Sequence, residues 1–197
     1  MAEITAELVN NLRKKTNAGM MDCKKALTEA QGDLEQAETI LRKKGITKAE
    51  GKADREAKEG VIASYIHMAG RVGVLIEVNC ETDFVAKNEN FQGLVKDLSL
   101  HIAAANPRYL QRSDVPAELV EKEREIAADQ VKGKPANVVD KIVEGKIGKF
   151  YADNCLLEQG FIKNPDVTIT DFVKSKISEL GENIVVRRFT RYAVGGE

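Results

Sequence analysis

Hydrophobic residues recur with two different periods in the middle of this chain. Between Val74 and Cys80 every second residue is apolar, as in a strand that buries one face. From Phe91 to Ile102 the apolar residues recur every three or four positions instead, as on one face of a helix. The segment Thr82–Lys87 lies between the two patterns, so the sequence predicts that it joins a strand to a helix.

Helical spacing also dominates residues 1–46, where three short apolar stripes follow one another. Asp22 and Asp33 are candidate N-caps of the second and third helices, and Gly45 is a candidate stop for the third. Residues 47–59 are charged and almost free of large apolar side chains, which is typical of a linker. The pattern predicts a three-helix N-terminal domain followed by a charged linker.

Alternation returns on both sides of the central strand. Residues 61–68 alternate and are followed by a glycine-containing turn, which predicts a hairpin with the strand that ends at Cys80. Residues 184–189 alternate again after a helical stripe that ends at Gly181. The sequence therefore predicts an α+β protein whose core, residues 60–197, has a three-stranded antiparallel sheet and flanking helices.

Composition narrows the classes of function. The 30 basic and 31 acidic side chains leave a net charge of -1, so no broad electrostatic footprint favours nucleic acid or a membrane. The three cysteines are far apart and odd in number, which does not suggest a disulfide framework. With no apolar leader or membrane-length run, we expect a cytoplasmic protein that binds another protein.

Catalytic signatures are missing from the sequence. It contains no phosphate-binding Gly-x-x-x-x-Gly-Lys-Ser/Thr loop, no cluster at metal-ligand spacing and no nucleophile placed beside a base. His67 is a lone histidine on a predicted strand, where a satisfied surface or core group is more common than a ligand. We therefore expect no enzyme activity, no metal site and no cofactor.

Two apolar features have both a structural and a functional interpretation. Phe84 follows a strand, where a large apolar residue is usually buried in the core. Met20 and Met21 fall in a predicted interhelical turn, where they either fold back onto the helices or form a contact surface. Residue patterns alone leave both alternatives open.

Three segments resemble signatures of the elongation factor Ts family, in the order in which that family has them. They are Leu12–Leu27, Glu77–Lys87 with its Thr-Asp-Phe-Val tetrapeptide, and Leu180–Arg188. The resemblance implies a ubiquitin-associated-like N-terminal domain and a guanine-nucleotide exchange factor. Such a factor binds elongation factor Tu in its GDP and nucleotide-free forms and promotes GDP release so that GTP can bind.

The resemblance also implies which residues contact that partner. The first group dislocates the partner's magnesium site by inserting the aromatic ring, and it comprises Thr82, Asp83, Phe84 and Val85. The second group makes other contacts, and it comprises Met20, Met21, His67, Leu180 and Gly181. Because this chain carries a single core subdomain, as short members of the family do, we also expect a homodimer formed through the core.

The tetrapeptide occurs a second time, at residues 170–173. Here Thr170 or Asp171 is a candidate helix N-cap, and Phe172 falls in the apolar stripe of that helix. The repeat is therefore predicted to be structural, and only the first copy to be functional.

Two rival functions remain to be compared with protein binding. An RNA-binding module would use basic clusters such as Arg42-Lys43-Lys44 and Arg187-Arg188, but the balanced net charge argues against it. A thiol oxidoreductase would need a reactive cysteine pair, and the sequence has no Cys-x-x-Cys.

Overall fold

A computed structural model of the chain describes residues 4–16, 18–131 and 135–196. This part of the chain is α+β, as predicted: three N-terminal helices precede a core with a three-stranded antiparallel sheet and flanking helices. The helices are α1 (Ala6–Thr16), α2 (Met20–Glu29), α3 (Leu34–Glu50), α4 (Asp83–Ala86), α5 (Glu89–Ala105), α6 (Ala117–Asp129), α7 (Ala136–Asn154) and α8 (Ile169–Leu180). The strands are β1 (Glu59–His67), β2 (Val72–Cys80), β3 (Gly160–Phe161), β4 (Asn164–Thr168) and β5 (Val185–Ala193).

The N-terminal helices enclose a small core of their own. Their apolar stripes meet in one buried cluster, which consists of Val9, Leu12, Cys23, Ala26, Leu27, Ala30, Ala37 and Leu41. Asp33 caps α3 as predicted, since its carboxylate accepts a hydrogen bond of 2.8 Å from the Gln36 amide. Gly32, with φ of 91°, provides the left-handed turn between α2 and α3. Capping and burial together explain why these short helices form.

Two predicted helix boundaries were wrong. Asp22 does not cap α2; Gly19 holds the cap position and Asp22 lies in the first turn. Gly45 does not end α3, which continues to Glu50 because Ala49 is buried and Glu50 forms an ion pair of 2.9 Å with Lys174. Tertiary contacts outweigh the roughly 1 kcal/mol that an interior glycine costs a helix. Residues 47–50 of the predicted linker are therefore helical, and the division into domains stays a prediction.

The three-stranded sheet has the order β1–β2–β5. Its central strand follows the predicted alternation, with Val74, Ile76, Val78 and Cys80 all buried. Gly60 of β1 adopts a φ of 143°, and a Cβ there would overlap the carbonyl oxygen of Val78. Only glycine permits this close approach of the two backbones.

The described residues group into two compact units. The first comprises the chain up to Val61 together with residues 78–94 and 173–187, and the second comprises residues 62–77, 95–172 and the chain from Arg188 onward. Each unit contains part of the three-stranded sheet. The candidate functional residues, except His67, belong to the first unit.

The second unit also contains a two-stranded sheet that the sequence analysis did not predict. Strands β3 and β4 pair in an antiparallel hairpin. A Cβ on Gly160 would lie only 2.7 Å from the Pro165 carbonyl oxygen, so this hairpin requires glycine there. Phe161 of β3 stacks on Phe172 with ring centroids 4.4 Å apart. The aromatic ring of the second tetrapeptide, Phe172, is thus packed inside this unit.

Candidate functional site

The junction between β2 and α4 presents Phe84 to solvent. Strand β2 ends at the buried Cys80, and Thr82 takes the N-cap position of α4, where its hydroxyl accepts a hydrogen bond of 3.4 Å from the Val85 amide. Ala86 is the buried residue of this single turn, and Phe84 projects on another side with 83% of its surface exposed. The core interpretation of Phe84 is therefore wrong: among the described large apolar residues it is the most exposed.

A glutamate distant in sequence holds this junction. Glu182 Oε2 accepts hydrogen bonds from the amides of Glu81 and Thr82, at 3.1 and 3.0 Å. The Thr82 hydroxyl donates to Glu182 Oε1 at 2.6 Å. One carboxylate thereby binds three donors in the two residues that precede α4.

The bend that carries Glu182 is held in return by Glu81. The Glu81 carboxylate accepts a hydrogen bond of 2.6 Å from the Asn183 amide. Gly181, at the end of α8, has φ of 80°, a left-handed conformation that favours glycine. The structure therefore brings the predicted residues Thr82–Val85 together with the bend at Leu180 and Gly181.

The segment before β1 is attached to the same bend. The Asn183 side-chain amide donates to the carbonyl oxygens of Ala53 and Arg55, at 3.2 and 2.8 Å. The Lys52 ammonium donates to the carbonyl oxygen of Gly181. Sequence reasoning missed Glu81, Glu182 and Asn183, because their partners lie about a hundred residues away and no local pattern pairs them.

Asp83 and Val85 flank Phe84 in α4 without packing it into a core. Asp83 and Lys87 form an exposed ion pair of 2.6 Å across one helical turn. The hydrogen bond from Lys87 holds the pKa of the Asp83 carboxyl below its usual value, so Asp83 is a carboxylate at neutral pH. Val85 is half-buried. The turn therefore presents one aromatic ring beside a fixed negative charge.

The Cys80 thiol lies beneath the junction and is poorly reactive. Cys80 is fully buried and donates a hydrogen bond from Sγ to the Thr82 carbonyl oxygen at 3.2 Å. Burial, reinforced by the negative charge of Glu182, raises the pKa of the Cys80 thiol to about 11. Because the thiolate is the reactive form, Cys80 is poorly suited to redox or nucleophilic chemistry.

Met20 and Met21 are the first two residues of α2. The prediction that they lie in the turn between α1 and α2 was therefore wrong. Their side chains are 52% and 64% exposed, so neither folds back onto the helical core. Both lie in the same unit as Phe84. The structure thus leaves two adjacent methionines available for an external contact.

His67 belongs to the second unit, at the end of β1. Its Nδ1 is 2.9 Å from the Tyr65 hydroxyl, and the two rings stack with centroids 5.7 Å apart. The histidine therefore has a partner within its own strand. Among the described residues, no group of three or more His, Cys, Asp or Glu side chains is placed to hold a metal ion. No helix in the described ranges is long and apolar enough to cross a membrane.

Known proteins of one family match this chain along nearly its full length. A sequence model of the family described as Elongation factor TS matches residues 3–196. The elongation factor Ts of Geobacter sulfurreducens is 59% identical over 194 residues, which cover 98% of this chain and 90% of that protein. The elongation factors Ts of Carboxydothermus hydrogenoformans and Thermodesulfovibrio yellowstonii are each 56% identical over 98% of this chain, and the matches cover 89% and 96% of those proteins. The protein therefore belongs to the elongation factor Ts family, a family of translation elongation factors.

Proposed function

We propose that this protein is a guanine-nucleotide exchange factor that binds elongation factor Tu in its GDP form and accelerates GDP release in the cytoplasm. The observation that carries the proposal is the 83% exposure of Phe84 on a turn anchored at both ends. A large aromatic ring held in solvent on an anchored turn offers apolar area that a partner can bury. Family membership supports the identity of that partner.

The exposed ring suggests how binding energy is converted into nucleotide release. Burying a phenylalanine side chain contributes about 1.5 to 3 kcal/mol. If the ring fits only into a crevice that opens beside the partner's magnesium site, that energy stabilises the open form alone. Magnesium offsets the charge of the diphosphate, so displacing its ligands weakens the binding of metal and nucleotide together.

Thermodynamic coupling then governs the exchange cycle. A factor that weakens GDP binding must itself bind more weakly, by the same factor, when GDP is present. The complex of all three components is therefore transient, and the factor binds the nucleotide-free form most tightly. Entry of GTP releases the factor. On this proposal the protein supplies no catalytic residue, metal or cofactor.

The remaining predicted residues have roles that fit their positions. Thr82 caps the turn and Asp83 offers a carboxylate beside Phe84, while Val85 completes the turn. Met20 and Met21 anchor the factor on the partner through flexible apolar side chains. Three further residues complete the proposed contact set, namely His67, Leu180 and Gly181.

We further propose that the protein forms a homodimer through the open face of its sheet. Ile62, Ile66 and Leu75 are 65%, 64% and 48% exposed, and all three lie in the second unit. Exposed apolar side chains in neighbouring strands commonly mark an interface. Sedimentation at micromolar concentration should give about twice the chain mass of 21.7 kDa. A single species of chain mass would contradict the dimer.

The exchange function is tested by the release of a fluorescent GDP analogue from bacterial elongation factor Tu. Substoichiometric wild-type protein should accelerate release, and Phe84→Ala should lose at least tenfold of that acceleration. Val194→Ala is a matched control because Val194 is also apolar and 65% exposed. No acceleration by the wild type would refute the function. Full activity of Phe84→Ala would instead refute the role of the ring.

A further inference from the structure

The three hydrogen bonds of Glu182 suggest a role that no sequence motif assigns to it. We propose that Glu182 is the positioning residue of the exchange site, because its carboxylate fixes the direction in which Phe84 projects. The proposal rests on the exchange function proposed above and adds to it a residue that acts through Phe84.

The turn that carries Phe84 needs an external anchor. Helix α4 has only four residues, and a single helical turn is not stable in water without one. Phe84 itself contributes little packing because it is largely exposed. At the end of the turn, the Gln92 side chain donates to the Ala86 carbonyl oxygen at 2.5 Å. At its start, the corresponding anchor is the carboxylate of Glu182.

Glu182 also sets the orientation of the Thr82 hydroxyl. That hydroxyl has one hydrogen, which it donates to Glu182 Oε1 at 2.6 Å. Its lone pairs then remain available for the Val85 amide at 3.4 Å. Loss of the carboxylate would leave the hydroxyl free to rotate and weaken the cap of α4.

The clasp formed by Glu81, Thr82, Glu182 and Asn183 works in both directions. Glu182 binds the backbone of residues 81 and 82, while Glu81 binds the backbone of Asn183. Hydrogen bonds to a carboxylate are shorter and stronger than those between neutral groups. Three donors converge on Glu182, so a neutral amide in its place would turn its NH2 group toward at least one of them.

The test compares Glu182→Gln with the matched control Glu56→Gln, which removes an exposed carboxylate of the same unit. Under saturating elongation factor Tu·GDP we expect Glu182→Gln to lower the maximal exchange rate about tenfold. The half-saturating concentration should stay within about twofold, because Met20 and Met21 are untouched. The control should match the wild type.

Two readouts separate positioning from a general loss of structure. In a Phe84→Ala background, Glu182→Gln should cause no further loss, since a residue that acts through Phe84 is not additive with it. Amide hydrogen exchange at residues 81 and 82 should accelerate about tenfold in Glu182→Gln, because those amides lose their charged acceptor. Thr82→Val should lower the maximal exchange rate as Glu182→Gln does, because valine lacks the hydroxyl that Glu182 orients.

The outcomes distinguish this proposal from the function on which it rests. If wild-type protein does not accelerate release, the exchange function fails. If the wild type is active and Phe84→Ala is not, but Glu182→Gln equals its control, the positioning role is overturned. The positioning role is also overturned if Glu182→Gln lowers the exchange rate by the same factor in the Phe84→Ala background as in the wild type. Should Glu182→Gln fail to fold, an unimpaired Thr82→Val overturns the role. A folded Thr82→Val that loses activity in the wild-type background but not in the Phe84→Ala background supports it.

Discussion

The Thr-Asp-Phe-Val tetrapeptide occurs twice in this chain, and its phenylalanine has a different environment in each copy. In the first copy Phe84 is 83% exposed, whereas in the second Phe172 stacks on Phe161. The difference follows from their positions relative to a helix start. Thr82 is itself the N-cap of α4, so Phe84 is the second helical residue. In α8 the Thr168 hydroxyl accepts from the Asp171 amide, so Phe172 is the fourth.

A shift of two positions rotates a side chain by about 200° around a helix axis. The same four residues therefore direct their aromatic ring outward in one case and inward in the other. The prediction that Thr170 or Asp171 caps α8 was wrong, because Thr168 holds that position and the Thr170 hydroxyl donates to the Leu157 carbonyl oxygen at 2.6 Å. The interpretation of the second copy as structural agrees with the stacking of Phe172.

Truncating each phenylalanine should give the largest contrast. Phe172→Ala should lower the free energy of unfolding by about 2 to 3 kcal/mol, since it removes a stacked ring from a partly buried site. Phe84→Ala should change it by less than about 0.5 kcal/mol, because the ring contacts solvent. Urea denaturation measures both. Equal destabilisation would mean that Phe84 packs against the protein after all.

The two threonines should separate stability from activity. Thr82→Val removes a helix cap and should cost about 1 kcal/mol. Thr170→Val removes one hydrogen bond to Leu157 and should also cost about 1 kcal/mol. Only Thr82→Val should slow GDP release, because only its cap supports the exposed ring. Paired urea denaturation and release assays test this, and a similar loss of exchange in both variants would contradict it.

Between pH 7 and 5, acid should weaken the packing around Phe161, on which the ring of the second copy stacks. His101 is buried, with its Nε2 2.9 Å from Gln159 Oε1 and its ring 6.2 Å from Phe161. Burial lowers the pKa of His101 below its usual 6.5, so the unfolded chain binds the proton more readily. Stability should be fully present above about pH 6.5 and decrease as the pH falls below it.

Unfolding followed between pH 7 and 5 measures that dependence. His101→Gln should reduce the slope in this window, because the titrating group is removed. An unchanged slope in His101→Gln would assign the acid sensitivity to other groups.

The smallest effect is expected at Asp83 in the first copy. Its ion pair with Lys87 is exposed, and water and salt screen such pairs strongly. Asp83→Asn should leave the free energy of unfolding unchanged within error, at low salt and in 1 M NaCl. A salt-dependent loss of stability would show that the pair stiffens the turn that presents Phe84.

Much of the fold could be predicted from sequence, because one buried face leaves a periodic trace. The alternation from Val74 to Cys80 and the stripe from Phe91 to Ile102 both correspond to buried faces. The β3–β4 hairpin could not be predicted this way, since a strand of two residues has no period. The length of α3 was missed because it depends on the burial of Ala49 and on the ion pair of Glu50 with Lys174, which is far along the chain.

The candidate site divides in the same manner. The resemblance to the family signature marked Phe84 as functional, whereas periodicity alone gave no reason to expect its exposure. The clasp at Glu182 was unpredictable, because its carboxylate binds backbone amides about a hundred residues away, and amides carry no sequence information. A side chain that binds backbone amides has no partner side chain, so the sequence contains no complementary residue that would indicate the contact.

The segment before β1 connects the helices that carry Met20 and Met21 to the part of the chain that carries Phe84. Its attachment to the bend at Asn183 affects how the two proposed contacts combine. If residues 51–58 were a flexible chain, their root-mean-square end-to-end distance would be roughly 15 Å. The effective concentration for the second contact would then be low once the first had formed. Asn183 holds the carbonyl oxygens of Ala53 and Arg55, which removes much of that freedom. On the proposed function, the methionine pair and the exposed ring should therefore behave as a preorganised bivalent ligand, with a high effective concentration of one contact when the other is made.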